Sequence, residues 1–224
     1  MRNKISDFKN LIERELLYKV HLTSEHDFDP IKVDNVPEQW KCIGAGNYAA
    51  VFLHLNYEEW VVKVYSRDVK ALKKEVHVYQ KLGSHPAYSE LIGFGDRYLI
   101  LKRLKGITLY DAVHKGKRIP QGVIKDVNKA LDYARTQGLN PYDVHGKNVM
   151  MKDGRGYVVD ISDFYKEGID KKWDDLETAY NKIYKHTLYL FPIKIPYFIL
   201  DLVRYGYRKY KNVKKRVRTK RSLI

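Results

Sequence analysis

Residues 1–22 place Ile5, Phe8, Leu11, Ile12 and Leu16 at helical spacing, which predicts an amphipathic helix. The stretch 23–38, TSEHDFDPIKVDNVPE, holds two prolines and many turn formers and reads as a connection. Apolar runs then become short and closely spaced. Trp40–Ile43, Ala49–Leu55 and Glu59–Tyr65 read as strands, with only NYEE between the last two, so a hairpin is expected there. A helix is expected from Arg67 to Leu82, followed by short strands at Leu91–Phe94 and Tyr98–Leu104. From Thr108 the period turns helical. Val123, Val127, Ala130, Leu131 and Ala134 share one stripe, and Gly138 is placed to end it. NVMMKDGRGYVVDI reads as a second hairpin with Asp153-Gly154 at its turn. The segments Lys172–Leu190 and Pro196–Lys211 are expected to be helical. A β-rich half to about Leu104 and a helix-rich half after it predict an α+β class with two lobes and a cleft between them.

Composition narrows this picture. A chain of 224 residues with 44% apolar and 31% charged residues is long enough for a substantial core, in one large domain or one domain of two lobes. The single Cys42 excludes an internal disulfide and suits a reducing cytosol, where it reads as a small buried residue. The N-terminus is charged and lacks the apolar run of a signal peptide. No apolar run reaches the length of a spanning helix. Thr187–Val203 comes nearest, but Pro192, Lys194, Pro196 and Asp201 interrupt it, so a buried or interfacial segment is expected.

The net charge of +15 is uneven: ten Lys and Arg residues follow Val203 with no acidic residue among them. A solvated end explains such a tail, as does docking on an anionic membrane surface or nucleic acid. Tyrosines at 205, 207 and 210 interleave the charges, and with the apolar segment before them they favour the membrane.

Several positions carry chemistry. Gly44 and Gly46 lie between two strands, where a turn without Cβ atoms brings backbone N–H groups close to a phosphate, although two glycines in a hairpin also serve as a plain turn. Lys63 is an isolated lysine in the apolar strand WVVKVY, and Glu75 borders the apolar stripe of the next helix. Both residues have an ordinary reading as solvated side chains. Asp143 and Asn148 share a loop, and Asp160 ends the following hairpin; their hard oxygens suit Mg²⁺, which keeps waters and substrate phosphates in its shell. His145 has no second His or Cys at zinc spacing, so it reads as structural or substrate-facing.

In this order the motifs resemble the protein-kinase fold over about Cys42–Asp175. IGAGNYAAV is similar to the family's Gly-rich loop, which implies that Ile43, Gly44, Ala45, Gly46, Asn47 and Val51 surround ATP, with Val51 over adenine. VVK resembles the strand of the phosphate-binding lysine, Lys63, and KKEVHVYQKL the helix of its partner, Glu75. YLILKRLKGITLYDAV resembles the hinge, with Leu101 as gatekeeper and Lys102, Arg103 and Leu104 offering backbone groups to adenine. YDVHGKN is similar to the catalytic loop, with Asp143 as base and Asn148 as a metal ligand, and DIS stands where D-F-G is usual, with Asp160 as the main Mg²⁺ ligand. The resemblance implies a two-lobed protein-kinase-like fold: an N-terminal helical extension (1–38), a β-rich ATP-binding N-lobe (39–104), a reduced helical C-lobe (105–203) and a basic tail (204–224).

The departures shape the functional reading. Pro141-Tyr142 replaces His-Arg before the catalytic aspartate, so control through a phosphorylated activation loop is not expected. His145 stands where protein kinases commonly have lysine, and Lys147 is a candidate for the missing charge. Ser162 replaces the glycine of D-F-G, and no A-P-E follows. Only thirteen residues separate Asp160 from Asp174 of WDDLETAY, which resembles the next helix, whose aspartate braces the catalytic loop. This is similar to RIO-type and small bacterial serine/threonine kinases with a trimmed activation segment. The expected activity is transfer of the ATP γ-phosphate to a protein serine or threonine, with ATP and Mg²⁺, in the cytoplasm or at the membrane periphery. Alternatives are a small-molecule or sugar kinase, since D-x-H-x-x-N is also similar to aminoglycoside, choline and lipopolysaccharide-core kinases, and a pseudokinase that serves as a binding module.

Overall fold

The structure, a computed structural model, describes residues 2–24, 30–66 and 69–221; of residues 2, 69, 208 and 212–221 only the backbone is described. Its centre is an antiparallel five-stranded sheet in the order β3-β4-β5-β7-β6. The ranges are β3 Trp40–Ala45, β4 Ala49–His54, β5 Trp60–Tyr65, β6 Leu91–Phe94 and β7 Tyr98–Lys102. These strands are apolar almost without interruption because both faces are covered. Ala50, Phe52, Val62, Val64, Tyr98 and Ile100 face one cluster, and Ala49, Leu53, Val61, Tyr65, Leu99 and Leu101 face the other.

The first face is closed by the N-terminal helix. Helix α1 (Arg2–Leu11) runs on through a π-helical turn (Ile12–Leu16) into α2 (Leu17–Lys19). Phe8, Ile12 and Leu16 are each fully buried. In a regular α-helix, positions four apart drift by roughly 40° around the axis. The wider π turn takes up that drift and keeps Leu16 in line with Phe8 and Ile12. Phe8 stacks between Trp40 and Tyr57, with ring centroids 5.8 and 4.5 Å away.

The expected helix over 1–22 stops at Lys19, and periodicity missed the element that follows. β1 (His21–Thr23), at its end, and β2 (Lys32–Asp34), inside the expected connection, form a two-stranded ribbon. Three-residue strands with exposed ends carry no readable alternation. The ribbon matters because Ile31 N–H, at its edge, donates to Gly46 O at 2.9 Å and so ties the glycine turn to the N-terminal segment.

Helix α3 (Val69–Leu82) covers the second face; its expected start at Arg67 lies outside the described residues. After β7 come β8 (Ile107–Thr108), α4 (Leu109–His114) and α5 (Gln121–Thr136). The predicted stripe of α5 is buried throughout. It packs on a hairpin of β9 (Val149–Lys152) and β10 (Arg155–Val158), which forms a three-stranded sheet with β8. At the hairpin turn Asp153 and Gly154 both adopt positive φ, 50° and 74°. A Cβ on Gly156 would sit 2.4 Å from Val123 O, so this glycine is what lets α5 approach.

Helix α6 (Lys172–Lys182), a 3₁₀ turn (Tyr184–His186) and α7 (Tyr197–Arg221) complete the chain. Two expectations need correction here. Thr187–Val203 contains no buried core helix: Leu190, Phe191, Ile193, Phe198, Leu202 and Val203 are all exposed. Cys42 is half-buried rather than enclosed, lying at the rim of the cluster under α1. Among the described residues no helix is long and apolar enough to cross a membrane. The fold is thus mixed α+β, with β-rich sheets and helices compatible with a kinase-like fold.

Candidate active site

Strand pairing aims Lys63 inward. Register places it between Val51 and Leu99, on the face that α3 covers, and not on a solvated face. Glu75 of α3 is fully buried beneath it. The Lys63 ammonium lies 3.0 and 2.9 Å from the two Glu75 oxygens and 3.3 Å from Asp160 Oδ1. The Tyr65 hydroxyl donates to the same Glu75 carboxylate. Residues separated by up to 97 positions in sequence thus meet around one ammonium group.

Charge balance follows from this arrangement. Burial opposes the charged form of Lys63, but Asp160 and Glu75 outweigh it and hold the ammonium well above the ordinary lysine range. Burial likewise opposes Asp160, yet Lys63 and the Ser162 N–H, 3.1 Å from Oδ1, keep its carboxyl below the ordinary range. Glu75 is pushed up, chiefly by burial, with Lys63 offsetting part of the cost.

The loop from Pro141 to Asn148 is shaped by backbone as much as by side chains. Asp143 adopts a φ of 61°, which is uncommon outside glycine and is held by its neighbours. Its N–H donates to Asp170 Oδ2 at 3.3 Å, and its carbonyl accepts from Asn148 Nδ2 at 3.1 Å. That second bond fixes the Asn148 amide, so that its oxygen is the atom that could hold a cation. The Asp143 carboxylate pairs with Lys172 and lies 3.8 Å from His145 Nε2. Burial holds the His145 imidazole below its ordinary range, against the pull of Asp143. Lys172 stays above the ordinary lysine range because Asp143 and Asp170 outweigh its partial burial.

Two assignments change. The charge beside Asp143 comes from Lys172, whereas the ammonium of Lys147 turns to the Tyr110 ring, 4.2 Å from its centroid, and to Asp201 at 3.9 Å. The aspartate that braces the loop is Asp170, just ahead of α6; Asp174 is exposed in the first helical turn. Neither residue belongs to a motif, and only the GIDKKW stretch before α6 hints at them. The segment from Asp160 to α6 is tied down by Asn140, whose Nδ2 donates to Lys166 O and Gly168 O at 2.7 and 2.9 Å.

The glycine turn is open. Ile43, Gly44, Ala45, Gly46 and Asn47 are all exposed, and a Cβ on Gly44 would meet nothing within 4 Å. Val51 is half-buried over the Lys63 strand. Leu101 is buried opposite Val61. Lys102 N–H donates to Glu90 O and Arg103 N–H to Glu59 O, and Leu104 is half-buried beyond them. Among the described residues no three His, Cys, Asp or Glu side chains form a ready-made metal cage. Asp160 with Asn148 instead offers two hard oxygens, the partial set that suits Mg²⁺ brought in with phosphates.

Comparison with known proteins decides the family. The chain is 34% identical over 181 residues, 80% of its length and 83% of the relative's, to YrzF of Bacillus subtilis (strain 168), provisionally named a serine/threonine-protein kinase. The chain belongs to the protein-kinase-like family. Shorter likenesses lie within this kinase family too. It is 25% identical over 103 residues to the serine/threonine-protein kinase KSP1 of Saccharomyces cerevisiae, covering 43% of the chain and 10% of that protein. It is 26% identical over 125 residues to ribosomal protein S6 kinase alpha-6 of Danio rerio, covering 51% and 17%. No family model matches the chain.

Proposed function

We propose that this kinase-family chain is an ATP- and Mg²⁺-dependent phosphotransferase acting on serine or threonine of a protein substrate. The observation that carries this reading is the position of the Lys63 ammonium, within 3.3 Å of both Glu75 and Asp160. An ammonium fixed between a buried glutamate and a partly exposed aspartate is prepared for a phosphate on one side and a cation on the other. The ATP-binding half is residues 39–104 and the catalytic half 105–203, two lobes with the site between them. We read it as a small kinase similar to the RIO type, with a trimmed activation segment, acting in the cytoplasm or at the membrane periphery.

Mg-ATP, when bound, supplies the transferable γ-phosphoryl group and a cation that offsets charge between its phosphates. Ile43 to Asn47 close over the nucleotide, where the space above Gly44 admits backbone contact. Val51 and Leu101 bound the adenine, with Lys102–Leu104 along its edge. Lys63 would hold phosphate oxygens, while Asp160 and Asn148 would hold the cation. Asp143 orients the acceptor hydroxyl and takes its proton. Lys172 adds positive charge where the phosphoryl group passes, and neutral His145 faces the acceptor.

The test is transfer from Mg-ATP labelled on the γ-phosphate to protein acceptors and, separately, to sugars. Label on serine or threonine that falls by about 10²–10⁴-fold in Asp143→Asn supports the reading. Transfer to sugars alone, or transfer indifferent to Asp143→Asn, overturns it.

A further inference from the structure

Helix α7 is mounted with its polar side against the body of the protein. Tyr197, Asp201, Arg204, Tyr207 and Lys211 recur at spacings of three and four, one face of the helix. That face makes the attachments. Tyr197 donates to Asp111 at 2.9 Å and stacks on His114, and Asp201 accepts from the Tyr110 hydroxyl at 2.7 Å. Tyr207 donates to Asp175 at 2.7 Å, and Lys211 pairs with the same carboxylate. A surface helix normally does the reverse and turns its apolar stripe inward.

The opposite side is apolar and exposed. Phe198, Leu202 and Tyr205, at i, i+4 and i+7, are 71%, 66% and 55% exposed. Phe191, on the segment leading into the helix, is 74% exposed as well. A contiguous apolar surface of this kind marks a contact site. Beyond it the helix becomes basic, with ten Lys and Arg residues and no acid after Val203.

These two features select the partner. A second copy would bring two tails of like charge together. Nucleic acid would satisfy the cations but offers its phosphates to Phe198 and Leu202, which have no use for them. An anionic bilayer meets both demands, since its headgroups attract the basic residues and its acyl boundary accepts the apolar stripe. We propose that α7 is an amphipathic membrane-docking helix that lies in the interface of an anionic bilayer, with Phe198, Leu202 and Tyr205 inserted. The polar face stays on Tyr110, Asp111 and Asp175, so docking needs no detachment of the helix. Lys147, next to Asn148, contacts Asp201 of the same helix, so the catalytic loop would be held close to the membrane surface.

The test uses the full chain and vesicles, without ATP, so its outcome is separate from that of the kinase assay. Co-sedimentation is measured with vesicles of phosphatidylcholine containing about 30% phosphatidylserine, and with phosphatidylcholine alone. Binding is expected to the first and not to the second. It should weaken as salt rises from about 0.1 to 1 M and the screening length falls from about 10 to 3 Å. The variant Phe198→Ser with Leu202→Ser changes no charge and removes two exposed side chains, so it should melt like the parent yet bind roughly 30-fold more weakly. Binding of this variant equal to the parent overturns the proposal, because the apolar stripe then takes no part. Indifference to anionic vesicles also overturns it, whether the chain instead binds an oligonucleotide or self-associates as its concentration rises.

Discussion

Replacing Lys63 by Met tests the centre of the site without relying on activity. Methionine replaces the unbranched stem of the side chain and removes the charge. In the parent the Lys63 and Glu75 side chains are 12% and 1% exposed, so Glu75 has little water to fall back on. Its other donor, the Tyr65 hydroxyl, is neutral. Removing one partner of a buried pair costs about 3–5 kcal/mol, far above the worth of a surface pair. For a chain of this size that is a fall in Tm of about 10 °C. The pH dependence gives the cause away. Burial already raises Glu75, and loss of the ammonium raises it further. A carboxyl with a raised folded pKa favours the fold below its unfolded value, about 4.3, and that advantage is lost as pH rises through the folded value. In the parent, Asp160 has a lowered pKa, so its contribution is present above the ordinary aspartate value and fades as pH falls through the folded one. Both effects shrink the deficit of Lys63→Met in acid and enlarge it toward neutrality.

The assay is urea unfolding followed by circular dichroism at pH values from about 3 to 8, low enough to reach the Asp160 range. Lys63→Met combined with Glu75→Gln should regain roughly 2 kcal/mol of the loss and flatten the profile, because the amide still accepts from Tyr65 and carries no charge. Neither variant should transfer phosphate. If Lys63→Met lies within about 0.5 kcal/mol of the parent with a parallel pH profile, the pair is solvated and the reasoning fails.

Lys172→Met should lower phosphotransfer about 100-fold in steady-state kinetics while the melting curve stays near that of the parent, with Lys172→Arg retaining a larger share. Asp170→Ala removes the acceptor for the Asp143 N–H and should cost about 1–3 kcal/mol in urea unfolding, with a matching fall in turnover. Gly44→Ala and Gly156→Ala should part company. The first has room for its Cβ and should leave stability within about 0.5 kcal/mol while ATP affinity measured by titration falls; the second meets Val123 O and should lose about 1–3 kcal/mol.

What sequence reading captured depended on whether a signal is local. The strands around Phe52, Val62 and Ile100 were legible because long β-branched and aromatic runs between turn residues have few other solutions. The stripe of α5 was legible from its period. Lys63 and Glu75 were identified through their order along the chain, and the structure then brought them into contact. Lys172 and Asp170 escaped because their importance comes from folding alone. They lie in a polar stretch without periodicity and reach Asp143 across 29 and 27 residues. Lys147 was the natural candidate for charge because it lies in the loop itself, but a residue two positions from His145 points elsewhere once His145 Nδ1 accepts its N–H.

The apolar segment before the tail shows a further limit of the same logic. Hydrophobic content in Thr187–Val203 argues for a buried or an interfacial segment, the first on the usual premise that such residues seek the inside. The premise fails because the polar face of α7 is the better match for the surface it meets. Asp111 and Asp175 are acidic and accept from Tyr197 and from Tyr207 with Lys211, while the Tyr110 hydroxyl donates to Asp201. Burying the apolar stripe instead would set Phe198 and Leu202 against these carboxylates and take those partners from α7 away. The acidic rim of α4 and α6 therefore decides which way the helix turns, and the apolar face is left outward as a consequence.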